Sequence, residues 1–203
     1  MSSQSYTPDQ NDALQEVVNI AMGQAGSSLA QILHHFVQLS IPRIRLVTTT
    51  DVMTTVGQLV SHNSEIAVVR QAFYNDLRGE ALIVFPHTGL QDIATLMEYD
   101  ELDRNSTQEM LLDIGNVLIG AILNGIAEIL EIDLSFTSPS IIAEHTYVDT
   151  VLVPNELSWT HALLLEVRFA LEQRDFKCHL LMLLTEETID VLGTILDRFI
   201  SSI

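Results

Sequence analysis

Two pairs of residues in this chain are spaced to act together on one target. Glu16 and Asn19 stand three apart, and so do Asp113 and Asn116. Residues at i and i+3 share a helix face, so each pair would set a carboxylate beside a side-chain amide. An amide both donates and accepts and can therefore hold a water molecule in a chosen direction. The carboxylate could activate that water or grip a cationic group on a partner. One such pair on the wet face of a helix would mean nothing. Here the pairs recur in register. Gly23 and Gly120 follow one turn later, Pro42 and Pro139 each stand 23 residues after the asparagine, and the whole pattern repeats at a constant offset of 97 residues. A fixed offset of this kind points to an internal duplication.

The elements that must position the pairs are long amphipathic helices. From Asp12 the chain reads DALQEVVNIAMGQAGSSLAQILHHFVQLSIP, and from Glu109 it reads EMLLDIGNVLIGAILNGIAEILEIDLSFTSP. At helical spacing Leu14, Val17, Val18, Ala21, Ala25, Leu29, Ile32 and Phe36 fall on one apolar stripe. Leu111, Ile114, Leu118, Ile122, Ile126 and Ile129 form the second. Glu16, Asn19, Gly23, Gly26 and Ala30 point away from the first stripe, as do Asp113, Asn116, Gly120, Leu123 and Ala127 from the second. Asparagine is a poorer helix former than Gln, Glu or Lys, and mid-helix glycine costs roughly 1 kcal/mol relative to alanine. On an exposed face those costs make sense where another molecule must come close, which marks Gly23 and Gly120 as partner-contact positions.

The pattern acid-x-x-Asn, then Pro after 22 intervening residues, with an acidic or Ser residue four before the first acid, resembles the CheC/CheX/FliY phosphatase family of bacterial chemotaxis. The first copy matches at Asp12, Glu16, Asn19 and Pro42; the second at Glu109, Asn116 and Pro139. The chain departs at Asp113, where the family usually has Glu, and at Ala21, where it usually has Gly. The resemblance covers nearly the whole chain. It implies an α+β fold with a central sheet drawn from two pseudo-symmetric repeats and the two motif helices side by side on one face. It implies hydrolysis of the aspartyl phosphate of a CheY-like response regulator, in which Asn19 and Asn116 orient water while Glu16 and Asp113 grip the regulator's active-site lysine. An acyl phosphate attacked in line by water needs positioning and charge stabilisation rather than covalent help. The metal ion, Mg, would belong to the regulator, so no cofactor is expected on this chain. The resemblance also implies CheD as a candidate partner, docking near Thr150 to Leu157.

Composition fits that reading. The chain has 203 residues, enough for one substantial domain, and its apolar content of 47% supports a packed core. We expect a single domain over 1–203, with repeats at about 10–99 and 107–203. A formal charge of −18 disfavours nucleic acid and anionic membrane surfaces. No apolar run reaches the roughly 18 residues of a membrane span. The start MSSQSYTPDQ lacks a signal peptide's features, and Cys178 is the one cysteine, so a cytoplasmic location is expected.

In order, the sequence predicts a helix capped by Asp9 or Asn11 and running to about Phe36, then a strand over RIRLVTTTD. VMTTVGQLV reads as a short helix. EIAVVRQAFYN and RGEALIVFP form a hairpin, followed by a helix over Thr88–Tyr99 with Thr88 as its cap. The second half predicts a helix from about Thr107 to Glu131, a strand over SIIAEHTYVD, a short segment TVLVPNELS, a hairpin of THALLLEVRFALE with DFKCHLLMLLT, and a closing helix over Glu186–Ser202. Cys178 reads as core, and Pro42 and Pro139 as structural. His34, His35, His62, His87, His145, His161 and His179 make no linear zinc spacing, so no metal site is expected. Two rival readings stand beside the phosphatase: a non-catalytic regulator-binding or flagellar-switch adaptor, and an unrelated α+β protein carrying a fossil repeat.

Overall fold

The computed structural model describes residues 6–48, 65–99, 103–147, 161–174 and 176–202, with Asp51 and Thr54. The first apolar stripe forms α1, Pro8–Leu33. Its cap is Thr7 rather than Asp9 or Asn11. Thr7 Oγ1 accepts from the Gln10 amide at 3.2 Å and Gln10 Oε1 accepts from the Thr7 amide at 2.9 Å, a capping box with proline at the first helical position. The helix stops at Leu33 because His34 turns left-handed, with φ 51°. The second long helix, Arg104–Leu130, ends the same way at Glu131, with φ 52°, and begins at the cap Asp103. Phe36 therefore lies beyond α1 and is 67% exposed, and Ile32 is also exposed; neither joins the buried stripe.

Between the long helices run β1 (Val37–Leu39), β2 (Arg43–Thr48), the hairpin β3 (Glu65–Asn75) and β4 (Gly79–Pro86), and the short α2 (Leu90–Leu96). After α3 (Arg104–Leu130) come β5 (Leu134–Phe136), β6 (Ser140–Tyr147), the hairpin β7 (His161–Leu171) and β8 (Lys177–Thr185), and α4 (Glu186–Ser202). The α2 helix is shorter than predicted; its cap is Gly89 at φ 92°, with no side-chain hydrogen bond. The three-residue strands β1 and β5 were not predicted. The predicted segments VMTTVGQLV and TVLVPNELS lie outside the described residues, apart from Thr54.

The strands make one antiparallel sheet. At its centre β4 pairs with β8, with Ile83 opposite Leu180 and Leu82 opposite Leu181. Outside these lie β3 and β7, each paired within its own hairpin. Both edges are exchanged between halves: β1 and β2 pair with β7, while β5 and β6 pair with β3. Corresponding elements start 96 to 98 residues apart, at Pro8 and Arg104, Val37 and Leu134, Arg43 and Ser140, Glu65 and His161, Gly79 and Lys177, and Leu90 and Glu186.

One face of the sheet carries α1 and α3 side by side, with α4 against both. Leu14, Val17, Val18, Ala21, Ala25 and Leu29 from α1 meet Leu111, Ile114, Leu118, Ile122 and Ile126 from α3 over Val69, Ile83, Val167 and Leu180. The helices come close at Gly125, where a Cβ would stand 3.1 Å from the Cα of Ala21. Gly115 brings α3 down onto the sheet; a Cβ there would stand 2.7 Å from Val69 Cγ1. By length and composition α3 could cross a membrane, but its apolar residues pack within the protein as a core helix. Cys178 is fully buried, as expected, and burial pushes its thiol pKa up.

His179 sits in β8 with both ring nitrogens buried and unpartnered. Burial, with Arg168 and Lys177 nearby, holds its pKa down at about 4 against an ordinary 6.5. Between those values the unfolded chain binds the extra proton and the folded chain does not. This contribution to stability is therefore full above about pH 6.5, falls as pH drops through the window, and is fully lost below about 4. Replacing His179 with Leu is expected to flatten that part of the curve, measured as the difference between wild-type and variant urea midpoints from pH 4 to 7.

Candidate functional site

The sequence pairs lie on the long helices, away from the sheet. Glu16, Asn19, Asp113 and Asn116 are all solvent-exposed. Each pair is presented by a helix whose opposite side is anchored by core residues, so the backbone carrying it is rigid while the side chains are wet. Gly23 is exposed and Gly120 half-exposed, and a Cβ at either would meet nothing within 4 Å. Among the described residues neither glycine is required by packing, so both leave a low surface one turn past each asparagine.

Two residues predicted to share that outer face do not. Gly26 is buried beneath β1, where a Cβ would stand 2.9 Å from Leu39 Cδ1, and Leu123 is fully buried. The strand folded back over the end of α1, and the closeness of α3 to its neighbours, widen the buried side of both helices there.

The two pairs have different surroundings. On α1, Gln15 Nε2 donates to Asn19 Oδ1 at 3.4 Å and to the Pro42 carbonyl at 3.3 Å. This ties the amide to the motif's proline, which is buried, and leaves Asn19 Nδ2 directed elsewhere. On α3, Leu112 stands in Gln15's place and offers no such bond. There the neighbour is Tyr99, a residue the sequence reading missed. Burial, and then the carboxylates of Glu109 and Asp113, raise the pKa of the Tyr99 phenol, which places it within electrostatic reach of the second acid. Nothing local in sequence marks it, since it reaches the site from the end of the segment after α2. The stretch Thr150 to Leu157, where CheD docking is expected from the resemblance, lies outside the described residues.

The two exposed carboxylate–amide pairs thus lie on neighbouring helices of one sheet-backed layer, on an open surface. No family model matches the chain. It is 23% identical over 186 residues to the CheY-P phosphatase CheC of Bacillus subtilis (strain 168), covering 86% of this chain and 88% of that protein. Among solved structures, FliY of Thermotoga maritima superposes with a TM-score of 0.74 at 20% identity, over 97% of this chain and 100% of that one. The FliM middle domain of H. pylori superposes at 0.63 and 8% identity, over 93% and 99%. The chain is thus similar in sequence to a CheC protein along most of both chains, and it shares the fold of FliY and of the FliM middle domain.

Proposed function

We propose that this protein hydrolyses the aspartyl phosphate of a CheY-like response regulator. The observation that carries the reading is the recurrence of an exposed acid and asparagine at i and i+3 on two adjacent helices, each followed by an open glycine. On this reading Glu16 or Asp113 grips the regulator's active-site lysine, and Asn19 or Asn116 holds water in line with the phosphorus. The regulator supplies Mg. A hundredfold acceleration corresponds to about 2.7 kcal/mol, within reach of one positioned amide. The reading also implies a cytoplasmic protein, with CheD as a candidate second partner, and derives the two sites from one duplicated segment.

The fold shared with FliM middle domains favours one alternative, a switch adaptor that keeps the surface without the rate. Mixing the protein with phosphorylated receiver domains and following phosphate release separates the two. An adaptor would bind the phosphorylated domain and leave its lifetime unchanged.

The sites are expected to be unequal. Asp113 is one methylene shorter than Glu16, a loss of reach of about 1.5 Å, and Gly115 lets its helix sit low on the sheet. A misplacement of about 1 Å can cost around a hundredfold in rate. Asn19→Ala should therefore cost more activity than Asn116→Ala. In an Asn19→Ala background, Asp113→Glu should raise the remaining activity. An unchanged or lower rate would mean that the shorter acid suits its own geometry beside Tyr99, or that the second site does not work.

A further inference from the structure

We propose that Glu65, His87 and His145 form a binding site for a divalent transition metal of the zinc type at one end of the sheet. One donor atom from each lies within 4.8 Å of the other two. Around a tetrahedral ion with bonds of about 2.0–2.2 Å, donor atoms stand roughly 3.4 Å apart, so small side-chain rotations bring the three into a coordination sphere. Two imidazoles and one carboxylate suit zinc and its neighbours better than magnesium or calcium, which prefer all-oxygen sets. Three protein ligands leave a fourth position for water.

The backbone brings these residues together by two separate devices. The β3–β4 hairpin sets Glu65 beside His87, whose amide donates to the Glu65 carbonyl at 2.9 Å. His145 arrives from edge strand β6 through a bulge. Ile66 pairs with Thr146 and Val68 with Ala143, so Glu144 and His145 together oppose Ala67. His145 takes the extra position with φ 50°, a left-handed conformation that histidine rarely adopts. Bulges re-aim side chains at sheet edges, and this one turns the His145 ring toward the other two ligands. Its Nδ1 lies 3.4 Å from Glu65 Oε2, and its ring centroid lies 4.9 Å from that of His87. Arg104, which lines the same cleft of about 680 Å³, is engaged by Glu144 at 3.4 Å. At the corresponding place in the first half stands Thr48, bonded to Asp51 at 2.8 Å, so the site is not duplicated.

The cleft reaches α3 only at Arg104 and Thr107. Asn116 is nine residues further along the helix, about 13 Å at 1.5 Å per residue. The metal would thus not touch the reacting atoms; it would pin the edge strand β6 to the β3–β4 hairpin. Binding to the folded chain alone raises the melting temperature.

The test is calorimetric titration of metal-free protein with zinc chloride, thermal melts with and without zinc, and cobalt(II) absorption as a report of coordination. We expect one zinc per chain, a higher Tm with zinc, a tetrahedral-type cobalt band, and at least tenfold weaker binding in both His87→Ala and His145→Ala. Both histidines are exposed, so the variants should fold, which circular dichroism checks. Absence of saturable binding would overturn the proposal. So would binding that survives both substitutions, which would put the ion elsewhere, for example on His34 and His35.

Discussion

A variant carrying both Asn19→Ala and Asn116→Ala is expected to bind the phosphorylated regulator normally and to hydrolyse it at least about a hundredfold more slowly. Removing one positioned hydrogen-bonding group from a transition state costs on the order of 10²–10³ in rate, and the double change leaves neither site with an amide. Binding should persist because Glu16 and Asp113 remain. Stability should change by under about 0.5 kcal/mol at each position, since both side chains are exposed. Single-turnover phosphate release and a binding titration on the same sample separate the effects. The complementary pair, Glu16→Ala with Asp113→Ala, should instead weaken binding. A double asparagine variant that released phosphate at the wild-type rate would refute the water-orienting role outright.

The exposed helix faces of the candidate pairs were legible in the sequence because i and i+3 is a local relation, fixed by the helix alone. The long helices were legible from their apolar period, and β3, β4, β7 and β8 from runs of apolar and β-branched residues that end in turns. What escaped was everything decided at a distance. The stops at His34 and Glu131 use left-handed residues that are not glycine, so no punctuation marks them. The strands β1 and β5 are three residues each, too short for alternation to register, and they exist because β7 and β3 offer free edges. Gly26 and Leu123 turned inward because neighbours cover them, which an isolated helix cannot reveal. Glu65 meets His145 across 80 residues only after the sheet exchanges its edges between the halves.

That same long-range packing sets the second large expectation, that Gly125→Leu destabilises the protein by about 2–3 kcal/mol. Helix propensity alone predicts the reverse, since leucine exceeds glycine by most of a kcal/mol in a helix interior, or about 0.7. The position is where α1 meets α3. A Cβ there would stand 3.1 Å from both the Cα and the Cβ of Ala21, with the Gln24 side chain closer still. Gln24 is exposed and can swing away, but the Ala21 backbone cannot. Four added carbons must push the helices apart, and overpacking of this kind typically costs 1–3 kcal/mol beyond any propensity gain. Gly125→Ala is the control: its one carbon needs a shift of a few tenths of an ångström, and the propensity gain offsets that, so it should be near neutral. Urea melts of the two variants decide the matter, and a leucine variant as stable as wild type would mean that the helices do not meet at Ala21. Each carboxylate–amide pair lies on its own helix, so widening the gap should leave its internal geometry intact. Under conditions where Gly125→Leu remains folded, phosphate release per folded molecule should therefore stay close to wild type if each pair serves one regulator by itself. A rate that fell with the helix separation would instead mean that a single regulator bridges both helices.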